Sequence, residues 1–233
     1  PTSTKTPETK PQTENQILQE KLAKEIEKFH GRNAVSITDI FTGESISVNG
    51  ERPQLPGCVA NLPLALAAVH EIFNMDSPLK SADIEPHLFS MVKNSNPHEG
   101  VEVVRQLGGG DISKGIQMVN DFMKKWGMKN SFYDHPPAYP GEYSIAERSN
   151  RIVPNEMNQV LAKLAAGKLL QSENAMKYAL SMMSNNKPGL NFMIPGQIPD
   201  SEASVFHKVG WYYGKPNTIN DAGIVISNDG RFM

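Results

Sequence analysis

The chain has 233 residues, 39% hydrophobic and 21% charged, enough to bury the core of one large domain or two small ones. Its 23 Lys and Arg against 25 Asp and Glu leave a net charge of -2, and no basic stripe offers itself to a phosphate backbone, which excludes nucleic acid as a partner. A mean hydropathy of -0.42 without an unbroken apolar run of about 18 residues excludes a membrane span within these residues.

The single cysteine cannot form an internal disulfide, and no Cys/His cluster has zinc-ligand spacing. Neither a GxxxxGKS/T loop nor a GxGxxG turn between strand and helix occurs, so no nucleotide or other cofactor is expected. The chain begins at Pro1 rather than Met and reads as a trimmed or mature piece. Residues 1–16, rich in Thr, Pro, Lys and Glu, are expected to be a disordered linker, of the kind that follows a signal peptide or membrane anchor.

Leu18, Leu22, Ile26 and Phe29 recur at helical spacing and predict an amphipathic helix ending near His30-Gly31. Alternation from Val35 to Asp39 and again from Ser45 to Val48, around Thr42-Gly43, predicts a β-hairpin. Gly50 to Gly57, with two prolines, reads as a loop. Asn61 to Phe73 is apolar nearly all round, as a fully buried helix is. Shorter helices are predicted over 84–92 and 101–107, the second stopped by Gly108-Gly109-Gly110.

An amphipathic helix follows from Ile112 to Trp126, then a long loop from Tyr133 to Ser149. Two further helices are predicted over 154–166, with Pro at the start and Gly167 past the end, and over 172–183. Strands return at 205–213 and 222–227. Asn228-Asp229-Gly230 turns the chain into a third strand at 231–233, where the natural protein is expected to continue. Sheet segments at both ends around a helical block predict an α+β fold: an antiparallel sheet flanked by helices, with an inserted all-helical lobe and a cleft between the two. The expected division is a single domain over 17–233, with a sheet lobe at 17–55 and 200–233 and a helical lobe at 56–199.

Four segments, VSITDIFTGESISVN, CVANLPLALAAV, MVKNSNPHEGVEVVRQLGG with the following VNDFMKKWGMKNSFYD, and VFHKVGWYYGKPNTINDAGIV, carry a resemblance in their order and context. The chain resembles the penicillin-recognising serine hydrolases, the class A β-lactamases and D,D-peptidases, over residues 17–233. That resemblance implies a β-lactamase-like fold and three motifs around the cleft.

At the family's S-x-x-K, which supplies nucleophile and base, this chain has Cys58-Val59-Ala60-Asn61. A thiol replaces the hydroxyl, and an amide without a basic nitrogen replaces the amine. A thiolate at Cys58 would be favoured by the helix N-terminus, whereas a small buried cysteine in a dead site is the simpler account. The S-x-x-K strings at Ser77, Ser90 and Ser184 open no buried helix and are read as coincidental.

The middle motif, S-x-N, fits two registers: Asn94-Ser95-Asn96, which keeps the amide, or Ser95-Asn96-Pro97, which keeps the hydroxyl. A helix-capping turn accounts for the same residues. The third motif, K-T-G, reads Lys208-Val209-Gly210. It keeps a charge for a substrate carboxylate and a close backbone approach but lacks the hydroxyl. Trp211 and Tyr212 follow beside the cleft.

The family's deacylating Glu, with Asn four residues on, has no match at Glu142, Glu147 or Glu156. His98 and His207 flank the motifs. A Cys58–His98 dyad is one arrangement to test, and His207 is expected to point away from Lys208.

The leading reading is a β-lactamase-like domain that has lost serine hydrolase activity. It would act outside the cytoplasm, tethered through its N-terminal linker, and bind a cell-wall peptide, a β-lactam-like ligand or a protein partner. The alternative is an active hydrolase or acyltransferase of the same family with Cys58 as nucleophile.

Overall fold

The computed structural model describes residues 13–79, 81–184 and 189–230. Most of the expected linker, the expected strand at 231–233, Lys80 and Lys187 lie outside the described residues.

The first helix, α1 (Glu14–Ile26), starts inside the segment read as linker and stops one turn short of His30. The reason is local: Thr13 caps it, its hydroxyl accepting from Gln16 N while Gln16 Oε1 accepts from Thr13 N, a reciprocal box that composition conceals. None of its residues is buried.

Strands β1 (Val35–Thr38) and β2 (Ser45–Val48) then pair antiparallel, with Ile37 opposite Ile46. Asp39 builds their turn. Its carboxylate accepts from Phe41 N at 2.8 Å and Thr42 N at 3.1 Å, and Gly43 takes a φ of 77° that a side chain would resist.

A short 3-10 turn (Gly57–Ala60) runs into α2 (Asn61–Ile72), in which every residue from Asn61 to Val69 is buried. Around it lie α3 (Ser81–Lys93), α4 (Pro97–Leu107), α5 (Ile112–Trp126), α6 (Pro154–Ala165) and α7 (Glu173–Met183). Each turns one apolar face inward; on α5 these are Ile116, Val119, Met123 and Trp126. Together they form the main hydrophobic core, centred on α2.

The chain ends its described part in a long hairpin, β3 (Ala203–Tyr212) and β4 (Thr218–Ser227). β4 begins four residues before the expected strand, because Asn220 and Asp221 do not look like strand residues until their partners are known. Among the described residues the strands make two separate two-stranded ladders, and α6 packs against both β1 and β4.

Two buried acidic groups fix the segment between α5 and α6. Glu156 accepts from Asn130 N and Nδ2 and from Ser131 N and Oγ, at 2.6 to 3.0 Å. Asp134 accepts from Ala146 N, Arg148 N and Ser144 Oγ, closing the long loop back on its start. Asn150 closes the other side, accepting from Asp134 N and His135 N and donating to His135 O.

β3 meets the 3-10 turn backbone to backbone. A Cβ on Gly210 would lie 2.4 Å from Val59 N and 2.6 Å from Cys58 N, and one on Gly57 would lie 2.8 Å from Trp211 N. Only glycine permits that approach at either position.

Candidate functional site

The contact through Gly210 and Gly57 places the third motif directly against the first. Cys58 is partly buried in the 3-10 turn, and its carbonyl accepts from Asn61 N. Lys208 is 1% exposed, and its ammonium donates to Ser95 Oγ and, at 2.7 Å, to Val209 O. Ser95 and the lysine charge both act on the Cys58 sulfur. Three segments far apart in sequence thus supply a thiol, a hydroxyl and an amine to one cluster.

The electrostatics follow from burial. Desolvation pushes the Cys58 thiol above its ordinary value, against the pull of Lys208 and of the Ser95 hydrogen bond. Desolvation lowers Lys208 to about 8, with Cys58 and Asp221 holding it up. The lysine is therefore near the point where charged and neutral forms coexist.

Asn61 does not join the cluster by any hydrogen bond. It is fully buried, and neither its Nδ2 nor its Oδ1 has a hydrogen-bond partner. A Cβ on Gly100 of α4 would lie 3.5 Å from that Oδ1. Position 61 thus holds a neutral amide where the S-x-x-K pattern has its amine.

The two middle-motif residues Ser95 and Asn96 have different partners. Ser95 faces Lys208, whereas Asn96 caps α4, accepting from His98 N at 3.2 Å and donating to Glu99 at 3.4 Å. Ser95 holds a φ of 50°, in the left-handed region that a serine rarely adopts.

The Cys58–His98 dyad is not formed. His98 is exposed and its Nδ1 pairs with Tyr139 of the long loop. Tyr139, with the Tyr143 ring tilted beside it at 5.9 Å, was not foreseen near this motif, and only the fold brings it there.

His207 points away from Lys208 as expected, its Nδ1 2.9 Å from Asp221 Oδ1. Asp221 also accepts from Ile194 N and is the acid the sequence reading missed; strand pairing sets it opposite Val209. Trp211 lies next to Phe192, ring centroids 6.1 Å apart. Of the acids tried for the deacylating role, Glu156 is committed to Asn130 and Ser131, and Glu142 and Glu147 are exposed. Ser90 lies within α3 rather than at the start of a buried helix, and the Ser184 hydroxyl donates to Ser181 O. Among the described residues no group of three metal-ligating side chains comes together.

Helices packed against strand hairpins, with a Cys–Ser–Lys cluster where they meet, define an α+β domain of the β-lactamase-like kind. The profile of the Beta-lactamase enzyme family matches residues 111–233, more than half of the sequence, and the chain belongs to that family. No curated protein matches it.

Its fold is similar to that of a β-lactamase from Chitinophaga pinensis DSM 2588, at 20% identity and a TM-score of 0.71 over 94% of this chain and 88% of that one. The TLA-1 extended-spectrum β-lactamase is similar at 20% identity and a TM-score of 0.72, over 92% and 87%. PBP-A is similar at 17% and 0.74, over 93% and 84%. At these identities the likeness is one of fold.

Proposed function

We propose that this domain uses its cleft to bind a ligand rather than to turn over an acyl-enzyme through Cys58. The observation that carries the reading is the state of the first motif. Burial favours the protonated Cys58 thiol, and the side chain one helical turn on, Asn61, is an amide with no basic nitrogen to take up a proton. Glu142 and Glu147 are exposed and Glu156 is bonded to Asn130 and Ser131, so none of the three acids weighed for activating a deacylating water is turned to the cluster.

What remains is suited to recognition. Lys208 offers a buried amine to a carboxylate, in a low-dielectric setting that strengthens the pairing. Trp211 and Tyr212 follow it on β3. A peptide with a free C-terminal carboxylate, of the cell-wall type, or a β-lactam-like acid fits that chemistry. Both lie outside the cytoplasm, which is where the domain is proposed to act.

Calorimetric titration with such an acyl-peptide, and with its C-terminal amide, tests the reading. Binding of the acid but not the amide, lost in Lys208→Met, supports it. Covalent labelling by a fluorescent penicillin that disappears in Cys58→Ala would overturn it in favour of a Cys58 acyltransferase.

A further inference from the structure

The cleft holds a second nucleophile that the first motif does not account for. We propose that Ser95 and Lys208 form a serine–lysine dyad, in which Ser95 Oγ is the group that reacts with acyl-type electrophiles. This goes beyond ligand binding and does not depend on it.

Three observations converge. The Ser95 hydroxyl is bonded directly to Lys208 Nζ, the geometry a nucleophile and its base require. The lysine is buried while Ser95 is only partly so, which places the hydroxyl on the outer side of a base screened from water. Ser95 sits at a φ of 50° between α3 and α4, and backbone strain of this kind clusters at reactive positions.

Held at about 8, the amine is neutral in about a tenth of the chains at pH 7 and in most of them at pH 9, so it can accept a proton where an ordinary lysine cannot. The charged or titratable groups acting on Lys208 are Cys58 of the 3-10 turn and Asp221 of β4. Asp221 is shared with His207, so the lysine is not locked into an ion pair.

The step balances without a further reactant. Ser95 Oγ–H gives its proton to neutral Lys208 Nζ as Oγ bonds to the electrophilic carbon. The bond to the leaving group breaks, and the leaving group takes the proton back from the lysine. With a fluorophosphonate, Oγ bonds to phosphorus, the P–F bond breaks, and fluoride and the proton depart as HF.

The test is incubation of the whole chain with a fluorophosphonate and, separately, with a small sulfonyl fluoride, read by intact mass and peptide mapping. One adduct per chain, mapped to Ser95 rather than Cys58, is expected. Its rate should rise roughly tenfold from pH 7 to pH 9 as the lysine loses its proton. Lys208→Met should label at least about 100-fold more slowly.

Ser95→Ala and Ser95→Gly should both fold and not label, the glycine relieving the strained φ and separating chemistry from folding. A folded wild-type chain that neither probe labels at pH 9 would overturn the dyad. So would an adduct on Cys58, or labelling that survives in both Ser95 variants.

Discussion

Lys208 on β3 and Ser95, 113 residues earlier in the chain, are joined by a direct Nζ–Oγ hydrogen bond across the junction of strands and helices. Everything predicted of the site turns on that buried amine.

Lys208 is held below its ordinary value of 10.5, at about 8, so the folded chain gives up a proton that the unfolded chain keeps. The unfolded state binds more protons between those two values, and stability contributed by this group rises with pH through that window. Below pH 8 the full penalty of the buried charge is present. Lys208→Met is therefore expected to stabilise the fold at pH 7 by roughly 2–3 kcal/mol, less what the lost bonds to Ser95 and Val209 contributed. Urea melts should show the gain shrinking as pH climbs from 8 toward 10.5.

Asn61 buries a donor and an acceptor with no hydrogen-bond partner, a cost of about 1–3 kcal/mol. Asn61→Leu, close in volume and free of polar atoms, is expected to raise the melting temperature. A drop instead would show that the amide has a partner, such as a buried water.

Gly210→Ala would drive a methyl to within 2.4–2.7 Å of the backbone at Val59, Cys58 and Pro56. Because these are main-chain atoms, they cannot rotate away. The expected loss exceeds about 2 kcal/mol, measurable by thermal unfolding, and the reactivity of Cys58 toward iodoacetamide should change with it.

Cys58→Ser with Asn61→Lys restores a hydroxyl and an amine one helical turn apart, beside the existing Ser95 and Lys208. Incubation with benzylpenicillin is expected to give a slow acyl-enzyme at position 58 that accumulates, since no acid is placed to activate water. Intact mass after several hours reads the adduct. Its absence from a folded double variant would show that the cleft itself has changed shape.

The helices were legible because burial writes a period into the sequence. Ile116, Val119 and Met123 declare one face of α5 without reference to any other element. The start of α1 was not, because Thr13 and Gln16 act as a reciprocal pair that composition averages away. Cys58, Ser95 and Lys208 could each be named from motif order.

Other parts of the site needed the fold. Asn96 caps α4, which one sequence offered only as an alternative to either motif register. Asp221 and Tyr139 carried no local signal. One is placed by strand pairing, the other by a loop whose path is set by the burial of Asp134.

That loop is closed at its base by Asp134 and Asn150, two side chains spending their hydrogen bonds on main-chain groups of the loop's own ends. The clasp makes the segment a cassette. Its exposed tip, from Ala138 to Glu142, hangs from a fixed frame, and replacing the tip alters what overlooks the cleft without asking the frame to refold. In such a chain, the residues at the loop tip and those of the Cys58–Ser95–Lys208 cluster are separately editable.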